Sequence, residues 1–188
     1  MEPIVRSLSE ASLRQALAGA LEKRERHVIE RSDATPSAVL IPLVEWENDV
    51  HMWLARRPDT MRRHSGQVAF PGGKVEPGDP SLEATALREA EEEIGLAAAH
   101  VQVLGALDDL ITGTGYVITP YVAWVHSTFT PVLQPSEVAH AFRAPLRVFS
   151  TPARGVFPRI GHEIGGELVW GATFVMARNL AAIVSSLT

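Results

Sequence analysis

Residues 88–96 of the chain read REAEEEIGL, a stretch that groups glutamates on one face of a helix. Glu89, Glu92 and Glu93 fall at positions i, i+3 and i+4, so their carboxylates are neighbours on an α-helix. They lie in its last turns, where the helix dipole disfavours anions. Each like-charge neighbour costs about 0.2–0.5 kcal/mol in an isolated helix. Because a divalent cation would reverse the sign of that interaction, the stretch predicts a metal site.

The helix that carries this stretch has a start signal and a stop signal. Asp79 followed by Pro80 suits an N-cap and a first helical position, and Gly95 suits a left-handed C-terminal residue. These limits predict about four turns. Apolar residues at spacings of three and four predict a buried face formed by Leu82, Ala86, Leu87, Ala90 and Ile94. The alternative is that the glutamates form only a solvated helix face.

The segment just before this helix favours a ligand site over a solvated face. A predicted strand, residues 67–70, leads into the sequence PGGK at residues 71–74. Gly72 and Gly73 predict a tight loop, and glycine lets the backbone approach a phosphate-bearing ligand closely.

Together these features resemble the Nudix box of the Nudix hydrolases. The usual box is glycine, five residues, glutamate, seven residues, and then Arg-Glu-apolar-any-Glu-Glu-any-Gly-apolar. Residues 88–96 match the second half at every fixed position. In the first half Gly73 matches, but the acid is Asp79 and eight residues separate it from Arg88. We therefore interpret Asp79 as a helix cap.

Residues 57–73 resemble the signature that precedes the box in coenzyme A pyrophosphatases, the NudL-like family. The positions that match before the glycines are Arg57, Arg62, His64, Gly66 and Gln67. Ala55, Pro58 and Met61 replace the family's Thr, Ser and Leu. Residues 137–138, 145–146 and 170–173 also resemble family landmarks.

Basic side chains cluster in the same segment. Arg56, Arg57, Arg62, Arg63 and His64 stand within nine residues of a chain whose formal net charge is −5. Arginine forks bind phosphate oxygens bidentately, so this basic patch predicts a polyanionic ligand. A polar loop with exposed arginines is the alternative.

The resemblance implies a set of site residues. Glu89, Glu92 and Glu93 would hold Mg²⁺ or Mn²⁺, and Arg88 would orient a box glutamate through an ion pair. The residues that would bind the substrate are Arg57, Arg62, His64, Gln67, Gly72, Gly73 and Lys74. The general base remains open among Glu92, Glu137, Glu163 and Glu167.

The expected reaction, from the resemblance, is hydrolysis of coenzyme A to 4′-phosphopantetheine and adenosine 3′,5′-bisphosphate by metal-activated water. The alternatives are an ADP-ribose or dinucleotide pyrophosphatase, and a nucleotide-binding module without catalysis. We expect Glu93→Gln to abolish most turnover without harming the fold, on the expectation that this carboxylate is exposed.

Composition agrees with a globular enzyme. The chain has 188 residues, 46% hydrophobic and 21% charged, which suits one domain over residues 1–188 with an N-terminal helical extension at 1–30 and the box at 72–96. It has no cysteine, which leaves oxygen ligands for a metal. No signal peptide or apolar span is recognisable, so we expect a cytoplasmic protein that binds no membrane and no nucleic acid. A homodimer is possible.

The predicted fold class is α/β (α+β), a Nudix-type αβα sandwich with a mixed β-sheet between helices. Ser9 is predicted to cap a first helix whose apolar face carries Leu13, Leu17 and Leu21. The predicted strands are residues 37–45, 50–56, 101–107, 116–126 and 138–142. Residues 161–170 predict a hairpin that turns at Gly165-Gly166, and residues 172–187 a closing helix.

Overall fold

The computed structural model describes residues 9–61, 64–126, 129–155 and 159–187. Its α-helices are α1 (Glu10–Lys23), α2 (Leu82–Ile94) and α3 (Gly171–Ser185). The strands are β1 (Thr35–Trp46), β2 (Asp49–Arg56), β3 (Val68–Ala69), β4 (Gly72–Lys74), β5 (Val101–Ala106), β6 (Leu110–Ile111), β7 (Tyr116–Val125), β8 (His140–Pro145), β9 (Gly161–Ile164) and β10 (Glu167–Trp170). Short 3₁₀ helices follow at Ala98–His100 and Leu146–Ser150.

Strand β1 organises a mixed eight-stranded sheet. It runs parallel to β7 on one edge, and on the other edge it pairs antiparallel with β4 through its first half and with β2 through its second half. Strand β2 also pairs with β3 and β8, while β5 and β6 pair with β7. Strands β9 and β10 form a separate hairpin.

Helices cover both faces of this sheet. Successive side chains of a strand point to opposite faces, and in β1 Leu40 packs in one cluster with α2 while Ile41 packs in another with α1 and α3. Leu17 of α1 and Leu180 of α3 are fully buried in that second cluster. The predicted mixed sheet between helices is confirmed.

Local signals placed most elements correctly. The Ser9 side chain caps α1 by accepting from the Ser12 N–H, and Gly95 ends α2 in the left-handed conformation at φ 70°. The hairpin β9–β10 turns at Gly165 and Gly166, both with positive φ. Strand β8 starts two residues later than predicted, because residues 134–138 form turns instead.

The prediction that Asp79 caps α2 is wrong. The N-cap is Ser81, whose hydroxyl accepts from the Ala84 N–H at 3.1 Å, and the helix begins at Leu82. Pro80 therefore precedes the helix. Asp79 is free for another role because a serine two residues later supplies the capping oxygen.

The predicted tight loop at residues 72–74 is instead strand β4, which pairs with residues 37–39 of β1. Glycine is required at Gly72 because a Cβ there would overlap the Ala38 carbonyl and Val39 of the paired strand. The local sequence could not predict this close approach of two backbones, because the paired strand lies more than thirty residues away.

Candidate functional site

Arg88 is the centre of the polar cluster on α2. Its Nε and Nη2 donate to the two carboxylate oxygens of Asp79, each at 3.0 Å, and Nη2 also donates to the Lys74 carbonyl at 3.1 Å. Its Nη1 donates to Glu89 at 3.0 Å and to Glu92 at 3.2 Å. These contacts engage the whole guanidinium fork, so Arg88 fixes two box glutamates against the end of β4.

Asp79 anchors Arg88 rather than the helix terminus. Its carboxylate also accepts from the Glu76 N–H at 2.9 Å and from the Thr85 hydroxyl at 2.8 Å. The hydrogen bonds from Arg88, and after them the one from Glu76, hold the pKa of Asp79 well below its ordinary value. An ionised Asp79 is therefore a permanent partner for Arg88.

Glu93 is buried, so the expectation that it is exposed is wrong. Its side chain faces inward from α2, accepting from Arg57 Nη2 at 3.4 Å and from the Gly72 N–H at 3.2 Å. Burial raises the pKa of Glu93 to about 7, against the lowering effect of Arg57 and the Gly72 N–H. A cation beside this carboxylate would favour its charged form.

The other two box glutamates have different surroundings. Glu89 is half-buried, and burial raises its pKa. Gly73 makes room for it, because a Cβ at that position would overlap the Glu89 carboxylate. Glu92 is mostly exposed, with 59% of its side chain accessible. The acidic cluster, which we define as Glu89, Glu92 and Glu93, thus runs from the interior to solvent.

The acidic cluster fits a hard divalent cation by its chemistry. Its donors are carboxylate oxygens, and two of them bear a desolvation cost that a bound cation would offset. Over the described ranges, however, no three acidic or histidine side chains stand together as a ready metal site. Arg88 and Arg57 instead hold these carboxylates as ion pairs.

A cavity of about 520 Å³ lies between the β3–β4 edge of the sheet and the start of α3. Its lining brings together every predicted substrate-binding residue that the structure describes, namely Arg57, His64, Gln67, Gly72, Gly73 and Lys74. Arg62, also predicted to bind substrate, and Arg63 of the basic patch lie outside the described residues.

The cavity combines an apolar interior with basic side chains. Val39, Phe70, Ile118 and Met176 contribute apolar surface. Lys74 lies with its Nζ 5.6 Å from the centre of the Tyr116 ring, within cation–π range. This composition is typical of pockets for organic ligands that carry charged groups.

Several lining residues were not predicted from the sequence. Tyr116 and Met176 lie outside the motifs, and Met61 stands where the signature has leucine and was given no role. Their place in the cavity depends on how three distant elements pack. Residues 170–173 resembled a family landmark without an assigned role, and they form part of the wall. Within that wall the Thr173 hydroxyl donates to the Val68 carbonyl at 3.1 Å.

The acidic cluster and the cavity meet along β4. Arg57 lines the cavity and pairs with Glu93, while Gly72 lines the cavity and donates its N–H to the same carboxylate. Gly73 lines the cavity and accommodates Glu89 on its other side. The cavity and the acidic cluster therefore share Arg57, Gly72 and Gly73 as a common boundary.

The structure separates the candidates for the general base. The segment that carries Glu137 is attached to the end of α2, since the Gln134 N–H donates to the Glu93 carbonyl at 3.0 Å, and the charge of Glu137 raises the pKa of Glu93. Glu167 instead pairs with Arg56 and His140. Glu163 is exposed and lines a separate cavity.

Comparison with known proteins gives one family. The family model described as NUDIX domain matches residues 34–151. A relative from Yersinia pestis, an uncharacterised Nudix hydrolase called NudL, is 40% identical over 159 residues, which are 79% of this chain and 79% of the relative.

Solved structures give the same fold at low sequence identity. The Nudix hydrolase RenU from Mycobacterium smegmatis superposes with a TM-score of 0.61 at 14% identity, covering 82% of this chain and 88% of its own. The NUDIX domain of NrtR from Shewanella oneidensis, complexed with ADP ribose, has a TM-score of 0.54 at 18% identity and covers 96% and 100%. No helix in the described part of the chain is long and apolar enough to cross a membrane.

Proposed function

Because this chain belongs to the Nudix hydrolase family, we propose that it hydrolyses the pyrophosphate bond of coenzyme A or its acyl derivatives. The products would be 4′-phosphopantetheine and adenosine 3′,5′-bisphosphate. One observation carries the substrate assignment: three residues of the coenzyme A signature, Arg57, His64 and Gln67, line one cavity beside the acidic cluster.

Members of the family generally use divalent metal ions, and here we assign that role to Mg²⁺ or Mn²⁺ held by Glu89, Glu92 and Glu93. A bound ion would neutralise phosphate charge and lower the pKa of a coordinated water. The carboxylate oxygens and the raised pKa values of Glu89 and Glu93 support this assignment. Arg88 would release the carboxylates it holds while keeping its fork on Asp79.

The basic side chains of the cavity would bind the phosphates. Lys74 is exposed and projects from the end of β4, and Arg57 stands between the cavity and Glu93. Arginine offers a bidentate fork and lysine a point charge, so the two are complementary for a diphosphate. His64 is held by a 2.8 Å hydrogen bond between its Nδ1 and the Gln67 side chain.

Glu137 is the general base in this proposal. It is exposed, and its segment is fastened to the C-terminal end of α2 by the Val132 and Gln134 N–H groups, which donate to the Ile94 and Glu93 carbonyls. Its carboxylate is free to accept a proton from a water, because no ion pair in the described residues engages it. Glu92 remains the alternative within the box.

A substrate panel tests the proposal. We expect the protein with Mg²⁺ or Mn²⁺ to convert coenzyme A to the two named products, identified by mass spectrometry, faster than it converts ADP-ribose or a dinucleotide. A clear preference for ADP-ribose would overturn the assignment of coenzyme A as the substrate but not the hydrolysis of a pyrophosphate bond. Binding without turnover of any member would favour the non-catalytic module. Homodimer formation and a cytoplasmic location stay predictions.

A further inference from the structure

We propose that Glu167 is a positioning residue, which acts with Arg56 to join the two walls of the cavity and so governs substrate affinity. The inference deepens the proposed function and rests on it for the substrate. Glu167 was a candidate general base from the sequence, and its contacts assign it a different role.

The contacts form a continuous chain across three strands. Arg56, the last residue of β2, lies with its Nε 3.2 Å from Glu167 Oε2 at the start of β10. Its Nη2 donates to Asp59 Oδ1 at 2.7 Å. The other oxygen of Glu167 lies 3.5 Å from His140 Nε2 on β8. Arg56 therefore binds both the hairpin and the loop that follows β2.

One wall of the cavity depends on that loop. Within it, the described residues 57–61 and 64–67 supply Arg57, Met61, His64 and Gln67 to the lining. The loop is closed at its base by the Arg57 N–H, which donates to the Gln67 carbonyl at 3.0 Å. Because Asp59 in this loop is bound by Arg56, a movement of Arg56 moves the wall.

The opposite wall depends on the hairpin. Glu167 opens β10, which ends at Trp170, and residues 170–173 line the cavity. The 3.1 Å hydrogen bond from Thr173 to the Val68 carbonyl fastens the far end of this segment to β3. The Arg56–Glu167 pair fastens its near end to the end of β2, so the segment is held at both ends.

Packing around Arg56 shows that the pair is built tightly. Arg56 and Glu167 are 23% and 22% exposed, so solvent screens their interaction less than it screens a fully exposed pair. Gly66 turns at positive φ beside them, and a Cβ there would lie 2.8 Å from Asp59 Oδ1 and 3.3 Å from Arg56 Nη2. The loop is closely fitted to this guanidinium.

The experiment compares Glu167→Gln with Glu163→Gln, a matched change on the exposed side of the same hairpin. For Glu167→Gln we expect KM to rise about five- to tenfold with kcat within about twofold, and no change for Glu163→Gln. The KM of the double variant Arg56→Met, Glu167→Gln should be no higher than that of the more impaired single variant, because each substitution breaks the same Arg56–Glu167 link. A loss of kcat of about 10²-fold at constant KM would instead make Glu167 the base.

A second measurement does not depend on the substrate. Hydrogen exchange of residues 57–61 and 64–67 should become faster in Glu167→Gln, although the substitution is about a hundred residues away in sequence, and should stay at the wild-type rate in Glu163→Gln. Unchanged exchange together with unchanged KM would overturn the inference. Failure of wild-type protein to cleave coenzyme A would count against the proposed function alone, and KM would then be measured on the preferred member of the panel.

Discussion

The acidic cluster and the cavity are built on opposite principles. In the acidic cluster every carboxylate is paired with an arginine: Glu89 and Glu92 with Arg88, and Glu93 with Arg57. In the cavity, apolar side chains such as Val39 and Ile118 line the interior, and among the described contacts the ammonium group of Lys74 lies against the ring of Tyr116 and pairs with no carboxylate. One region holds charge in place, and the other offers surface and charge to a ligand.

This contrast separates chemistry from recognition. Side chains in the acidic cluster pair with Arg88 and Arg57 and, in the proposed function, would act on the reacting bond, so changes there should lower kcat. Side chains in the cavity would contact the substrate throughout the reaction, so changes there should raise KM. The following predictions test that division, from the largest expected effect to the smallest.

The largest effect is expected for Glu93→Gln, at the buried end of the acidic cluster. The amide keeps the shape of the side chain but removes the charge, so we expect kcat to fall about 10²- to 10³-fold. The fold should survive, because the amide keeps the size of the side chain and its oxygen can still accept from Arg57 or from the Gly72 N–H. Steady-state kinetics measure kcat, and a thermal melt measures the stability of the fold. Wild-type kcat in this variant would show that the carboxylate takes no part in the reaction.

A slightly smaller loss is expected for Gly73→Ala. The new Cβ would overlap the Glu89 carboxylate and displace it, and misplaced catalytic groups cost on the order of 10²-fold in rate. Gly78→Ala is the control, because a Cβ at Gly78 meets nothing within 4 Å. Equal kcat values for the two variants would argue that the position of Glu89 is unimportant.

Lys74→Met tests the cavity side of the comparison. The variant loses the ammonium group but keeps the backbone carbonyl that accepts from Arg88. We expect KM to rise about tenfold while kcat changes little. Lys23→Met, an exposed lysine in the last turn of α1, serves as the control for loss of charge. A lower kcat at constant KM would place Lys74 with the acidic cluster instead.

The smallest effect concerns stability in the presence of a chelator. The pKa of Glu93 rises from an ordinary 4.5 to about 7 on folding, so between these pH values the folded protein binds more protons than the unfolded chain. Raising the pH through this window should therefore lower the free energy of unfolding, whereas below pH 4.5 the contribution of Glu93 is fully present. In Glu93→Gln, the free energy of unfolding from denaturation curves should fall less steeply with rising pH than it does in the wild type. If the free energy of unfolding fell equally with pH in the wild type and in the variant, the raised pKa of Glu93 would be contradicted.

Local signals were sufficient for much of this fold. The spacing of apolar residues in α2, the left-handed Gly95 and the Gly165-Gly166 turn each depend on neighbours a few residues away. The box spacing likewise located the acidic cluster. The role of Asp79 was missed because Ser81 provides an equally good cap, and the sequence does not show which oxygen the helix uses.

Long-range packing decided what the sequence could not show. Strand β4 exists because residues 72–74 meet β1, and the burial of Glu93 follows from the approach of Gly72 and Arg57 to α2. The cavity needs α3 to pack beside β3, about a hundred residues away in the chain. No local pattern encodes such a contact.

The most direct test of the account measures coenzyme A turnover by one preparation before and after exhaustive chelation, and again after Mg²⁺ or Mn²⁺ is restored. We predict that release of 4′-phosphopantetheine stops when the metal is removed and resumes when it is restored. The Glu93→Gln variant should not release it even with metal present. Undiminished release in the chelated protein would contradict the claim that the acidic cluster works through a bound cation.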